Sequence, residues 1–232
     1  MGKGILYGIG VGPGDPELLT LKAVRCIREA DLLALPGEKA EETLAYRIAL
    51  GALPEIADKN LLSLPMPMTR DRAVMEASHR EAADRIEACL REGRSAAFLT
   101  LGDPSIYSTY SYVQQQVLAD GFEAETIPGV PSFCAAAARL NRPIAIWQEP
   151  VCILPAGHDP EEIRFAAGTS YILMKSGRQI PLVKKQLLEQ EMEAVMAENC
   201  GLPEEGLYFD VEAIPEKAGY YALILAKKKE TT

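Results

Sequence analysis

Three times in this chain an apolar run breaks into a glycine–proline loop. Ile5–Val11 runs into GPGDPELL, Ser95–Leu101 into GDPSIYS, and the stretch FEAETIP into PGVPSF. Two of these loops lead directly into segments with helical spacing. Parallel strands cannot be joined by tight hairpins and need crossovers of a dozen or more residues, usually helices. The recurrence therefore predicts an α/β fold with a mostly parallel sheet covered on both faces. It also places all three loops at carboxyl ends of strands, where open α/β sheets bind ligands.

The rest of the chain supports this reading. PELLTLKAVRCIREAD reads as one amphipathic helix, with Leu18, Leu21, Val24, Cys26 and Ile27 near one face. LLALP is a short strand, EETLAYRIAL a helix stopped by Gly51, and SLPMPMT a proline-broken loop. A long helix is expected from about Arg70 to Arg91, closed by Gly93. After GDPSIYS comes the helix TYSYVQQQVLAD. Beyond PGVPSFCAAAARLNRP helices thin out, while VCILP, SYILMK, EAVMAEN and YYALILAKK read as strands and YFDVEAI as a candidate strand. This change predicts a soft boundary near residues 115–130, with an α/β lobe over 1–120 and a second lobe with a mixed sheet over 121–232. The tail KKKETT reads as frayed and solvated.

The first loop looks like a phosphate cradle but fails the tests for one. A dinucleotide fingerprint, G-x-G-x-x-G, needs a third glycine; starting from Gly8 that position is Pro13, and from Gly10 it is Asp15. No Lys–Ser or Lys–Thr pair follows to complete a P-loop. Asp15 stands at an N-cap position, with Pro16 first in the helix and Glu17 in its first turn. Carboxylates thus occupy the helix end that would otherwise attract an anion. The glycines admit another protein surface or a ligand without phosphates, or they make only a tight turn and cap.

Composition narrows the class. No apolar run is long enough to cross a bilayer, and MGKGILYG is too brief for a signal peptide. A net charge of -9 argues against a nucleic-acid surface. The scattered Cys26, Cys89, Cys134, Cys152 and Cys200 suit a reducing cytoplasm. Only His79 and His158 are available for a metal, and no ligand spacing accompanies them, so no metal site is expected.

GIGVGPGDPELLTLKA, LTLGDPSIYSTY and PGVPSF, extended by YILMK and AENCG, resemble the tetrapyrrole methylases over essentially the whole chain. The resemblance implies two α/β lobes, an active site in the cleft between them, and a homodimer. It implies S-adenosylmethionine (SAM) as methyl donor, S-adenosylhomocysteine as its product, and a tetrapyrrole as the small-molecule substrate. The wording is most like members that methylate C20 of precorrin-2 or cobalt-factor II in cobalamin synthesis. Methylation of another ring position, such as C11 of precorrin-4, or a non-catalytic SAM-binding subunit, are the alternatives.

By motif match, Pro13 falls near the cofactor on the first loop, Leu101, Gly102, Asp103 and Ile106 on the second, and Pro131, Ser132 and Phe133 on the third. Met174 and Cys200 match positions near the adenosine, and Tyr221 and Ala222, on the last strand, are further candidates for the cofactor. Met174 and Cys200 would otherwise read as core residues, and Asp103 as a helix cap. An aspartate that relatives acting on uroporphyrinogen III carry as proton acceptor is Pro36 here, so that role does not transfer. Tyr107 is the candidate to handle a proton at the methylated carbon. Arg70, Arg72, Lys175 and Arg178 are candidates for the substrate's carboxylates, with solvated surface charge as the plainer reading of each.

Overall fold

The computed structural model describes residues 4–67, 69, 71–155 and 163–228. The chain divides into two compact units, Met1–Pro131 and Ser132–Thr232.

The first unit is built on five parallel strands: β1 (Ile5–Gly10), β2 (Leu32–Pro36), β3 (Asn60–Leu64), β4 (Ala96–Thr100) and β5 (Glu123–Ile127), in the order β3-β2-β4-β1-β5. Strand β5 pairs with β1, Tyr7 opposite Glu125, so this unit extends beyond the expected limit at 120. The helices are α1 (Leu21–Glu29), α2 (Leu44–Ala52), α3 (Arg72–Arg91) and α4 (Tyr110–Ala119). Helices α1 and α2 pack with Ile9, Leu33, Leu35 and Leu99 in one core cluster. Helices α3 and α4 pack with Leu6, Ala34 and Phe98 in another. Successive strand residues point to opposite faces, which is why near-continuous apolar strands feed both clusters.

Several elements differ from the sequence reading. The first helix is broken: a 3-10 turn at Pro16–Leu18 precedes α1, whose N-cap Thr20 accepts a hydrogen bond from Ala23 N–H at 3.1 Å. That break rotates Leu21 out of the expected apolar face, leaving it 89% exposed. Helix α2 runs through Gly51 and ends before Pro54, because Gly51 serves a close approach instead of a stop: a Cβ there would lie 2.7 Å from Pro16 Cγ. Strand β3 was hidden by its short length and the prolines after it. Asp71 caps α3, donated to by the N–H groups of Ala73 and Val74.

The second unit carries α5 (Ser132–Arg139), α6 (Ile180–Glu189) and the strands β6 (Val151–Pro155), β7 (Ser170–Met174), β8 (Met192–Glu198), β9 (Gly206–Tyr208) and β10 (Ala222–Lys228). Its sheet has the order β6-β7-β10-β8-β9. Only β6 and β7 are parallel; the other pairs are antiparallel, so the sheet is mixed as expected. YFDVEAI is a strand only at its start. From Phe209 the chain turns, burying Val211 and Ile214 against α6 and the sheet. Of the tail, Lys227 and Lys228 extend β10, and the remaining residues lie outside the described ones. Among the described residues no helix is long and apolar enough to cross a membrane.

Candidate active-site loops

In the first unit the three glycine loops meet backbone to backbone. Gly102 N–H donates to Gly12 C=O at 2.9 Å and Gly12 N–H to Gly102 C=O at 3.4 Å, tying the first loop to the second. Gly102 has φ +66, a left-handed conformation that glycine adopts without steric cost. The third loop is pressed into the same knot. A Cβ on Gly129 would sit 2.2 Å from Gly102 O, and one on Gly10 would sit 2.7 Å from Gly129 N. The glycines therefore serve first to let three loops touch.

The two Gly-Asp-Pro sequences look alike and behave differently. Asp15 is partly exposed and caps its 3-10 turn, accepting from Glu17 N–H at 2.9 Å. Asp103 is buried, and no helix starts beside it: α4 begins seven residues later at Tyr110, whose N–H donates to Ser108 Oγ at 3.2 Å. One Asp103 oxygen accepts from Ser105 N–H at 2.8 Å and from the Ser105 hydroxyl, and the other accepts from Gly129 N–H at 3.0 Å. The helix-cap reading of Asp103 is thereby replaced by a link between the second and third loops. On the second loop, Tyr107 is half exposed at φ +49, a strained conformation for a bulky side chain.

In the second unit, Met174, Cys200, Tyr221 and Ala222 collect at one end of the mixed sheet. Met174 pairs with Leu223, Ala222 pairs with Glu198, and Asn199 N–H donates to Tyr221 C=O at 3.3 Å. Lys175 and Asn199, the residues leaving β7 and β8, have φ +59 and +51. Both chains thus turn sharply as they leave the sheet. Gly177 fits only without a side chain, since its Cβ would meet Gly219 O at 2.0 Å. The turn bearing Cys200 is held by Glu205, which accepts from Gly201 N–H at 2.9 Å and from Arg139 Nε at 3.0 Å. Sequence reasoning missed this clamp, because Arg139 and Glu205 lie far apart in the chain.

The Arg139 guanidinium holds the Glu205 carboxyl below the ordinary glutamate range. A carboxylate with a depressed folded pKa contributes stability above its unfolded value, about pH 4.3, and loses it as pH falls through the folded value. Arg139 is more than half exposed, so solvent reduces the effect. Glu205→Gln should cost about 1–2 kcal/mol at pH 7, with the gap to wild type closing below about pH 4. Urea unfolding at the two pH values checks this.

The structure assigns the candidate substrate cations unevenly. Arg72, at the start of α3, is 87% exposed in its side chain and paired with Glu76 at 2.7 Å, as a surface helix pair. Lys175 Nζ sits 5.7 Å from the Tyr220 ring centre. Arg70 and the side chain of Arg178 lie outside the described residues. Pro36 closes β2 and pairs with Leu64.

The chemistry of the loops tests which ligand they suit. Residues 11–20, 101–109 and 128–131 carry Asp15, Glu17 and Asp103 and no lysine or arginine. That set repels phosphate and suits a ligand bearing positive charge, such as the sulfonium and ammonium of SAM. Of the second-unit candidates, Met174 and Tyr221 are partly exposed, while Cys200 and Ala222 are buried, Ala222 within the core cluster of that unit.

Residues 5–214 match the family of Tetrapyrrole (Corrin/Porphyrin) Methylases. The chain is 37% identical over 159 residues to a probable cobalt-precorrin-2 C(20)-methyltransferase of Methanocaldococcus jannaschii, covering 68% of this chain and 66% of that one. It is 30% identical over 234 residues to the cobalt-precorrin-2 C(20)-methyltransferase of Salmonella typhimurium, covering 98% of each. The fold matches the crystal structure of uroporphyrin-III C-methyltransferase from Thermus thermophilus complexed with S-adenosylhomocysteine. That match has a TM-score of 0.70 and 20% identity over 97% of both chains.

Proposed function

The chain belongs to the tetrapyrrole (corrin/porphyrin) methylase family, and from that premise we propose that it methylates C20 of precorrin-2 or its cobalt form. The observation that carries the ring position is the near full-length similarity to the Salmonella typhimurium enzyme. SAM supplies an already activated methyl group, so the protein's share is alignment and control of water and protons.

Pro13, Leu101, Gly102, the Asp103 backbone, Ile106, Pro131, Ser132 and Phe133 are assigned to the methionine side of the cofactor. Met174, Cys200, Tyr221 and Ala222 are assigned to the adenosine. The acidic first loop, with Asp15 and Glu17, favours the positive charge of SAM over its neutral sulfide product, which helps product leave. The Tyr107 hydroxyl is the candidate to accept or relay the proton that the ring carbon releases. Its half-exposed, strained placement on the second loop supports that role. Arg70, Arg72, Lys175 and Arg178 are the candidates for the substrate's carboxylates, and Arg72 would exchange Glu76 for one of them.

Incubation with methyl-labelled SAM and precorrin-2 or cobalt-factor II tests the reading. Label at C20, assigned by NMR, supports it; no transfer, or transfer to another carbon, refutes it.

The working form is proposed to be a cytoplasmic homodimer. No disulfide joins the five cysteines, as suits a reducing compartment. On the second unit, Ile146, Trp147 and Phe209 are more than half exposed, Trp147 at 93%. They stand on or beside a groove of about 770 Å³ that also includes Leu188, Val195 and Leu225. The groove itself is mixed, with Arg142, Glu149, Glu193 and Lys227 also lining it, so the support comes from the exposed apolar residues at its edge, which a second copy would cover. Trp147→Glu should shift sedimentation from dimer to monomer.

A further inference from the structure

We infer that Asp103 is a positioning residue: its carboxylate fixes the third loop against the second instead of binding the cofactor. The inference rests on the proposed SAM site and deepens it. Both Gly-Asp-Pro loops form the same local turn, in which the aspartate accepts from the N–H two residues on, Glu17 for Asp15 and Ser105 for Asp103. Such a turn needs only one carboxylate oxygen. What separates Asp103 is its second oxygen, which receives the Gly129 N–H from 26 residues away at 3.0 Å. Asp103 is only 9% exposed.

Three donors already converge on this carboxylate: the Ser105 N–H, the Ser105 hydroxyl and the Gly129 N–H. A hydrogen bond to an ionised acceptor is among the stronger kinds. The Gly129 link works with steric contact, because the glycine Cα lies where no side chain fits against Gly102 and Gly10. Two residues later come Pro131 and Ser132, the assigned cofactor residues that open α5. Fixing Gly129 fixes the start of that segment. Asp103 therefore acts on the cofactor through the third loop and not through its own carboxylate charge.

The test uses Asp103→Asn in the full chain. Asparagine keeps one carbonyl oxygen for the local turn with Ser105, but its NH2 group cannot accept from Gly129 N–H. Two quantities are read: hydrogen exchange of the Gly129 amide without ligand, and S-adenosylhomocysteine affinity by calorimetry. Wild type should protect the Gly129 amide. The variant should exchange it at least about tenfold faster and bind S-adenosylhomocysteine about tenfold more weakly, the loss expected for one charge-assisted bond. Ser105→Ala, which leaves the Gly129 bond in place, should keep wild-type exchange at Gly129. A Gly129 amide that exchanges in wild type as fast as an exposed loop amide would overturn the inference, even where Asp103→Asn does not fold. Faster exchange with unchanged affinity would overturn it too. Wild type that does not bind S-adenosylhomocysteine would instead refute the cofactor reading, while the exchange measurement still decides the loop link.

Discussion

Gly129→Ala is expected to lower kcat/KM for methyl transfer by at least about 10²-fold while leaving most of the fold intact, because misplacement by an ångström costs that much in a positioned reaction. The added methyl would lie 2.2 Å from the Gly102 carbonyl oxygen and 2.8 Å from Gly10 Cα. All of these are backbone atoms, so no side chain can rotate away. The third loop must move, and it carries the Asp103–Gly129 bond and the start of α5 with it. Most of the β1–β4 ladder, Leu6 to Ile9 opposite Ala96 to Leu99, stays paired, since only its last pair, Gly10 and Thr100, reaches the knot. Steady-state kinetics with a melting curve on the same sample separates the two effects: lost turnover with a melting temperature within a few degrees of wild type bears the argument out. Wild-type kinetics would show that the loops yield without cost.

Gly8→Ala should instead strike stability. Gly8 lies mid-strand in β1, and a Cβ there would overlap the Tyr110 ring, 2.0 Å from Cζ. Tyr110 is 1% exposed and packs with Phe98 at 5.6 Å between ring centres. Between an unyielding strand and a fully buried ring, the methyl group forces repacking, at a cost of about 3 kcal/mol or more. Tyr110→Ala alone should cost about 3–5 kcal/mol through the cavity it leaves. In the double variant the new methyl enters that space, so the two costs should not add. Urea unfolding of the two single variants and the double variant reads this directly. Additive losses would mean the ring does not press on Gly8.

A third packing feature on these helices shows where sequence reading stops. Glu87, buried on α3, accepts from Arg80 at 2.9 Å and Arg91 at 2.7 Å, and Arg80 also reaches Asp120 at the end of α4. The spacings of seven and four along one helix are legible in the sequence. That the carboxylate would be buried, with Arg80 clasping a second helix, depends on how α3 lies against α4. The same holds for Arg139 and Glu205, which only the folded second unit brings together.

The strands show the same division. Apolar runs such as SAAFLTL and YYALILAKK declared themselves, because fully buried strands of a parallel or mixed sheet are apolar throughout. Strand β3 did not, because NLLSL is brief and only its last residue is buried. The break in the first helix was missed because Leu21 keeps the apolar period while Thr20 offers a cap, and local capping won over periodicity.

From sequence alone came the α/β class, the mixed second sheet, the three loops at strand ends, the refusal of phosphate and the family. These follow from local quantities: period, glycine and proline positions, and charges fixed to particular residues. Tertiary structure alone decided what the repeated Gly-Asp-Pro means. Asp15 and Asp103 are the same residue in the same tripeptide, making the same local turn. One is a cap and the other a link, because only at Asp103 does folding bring a distant backbone N–H to the second oxygen. A hydrogen bond across the sheet carries no signal in the neighbouring sequence, and chain topology alone puts donor and acceptor within reach.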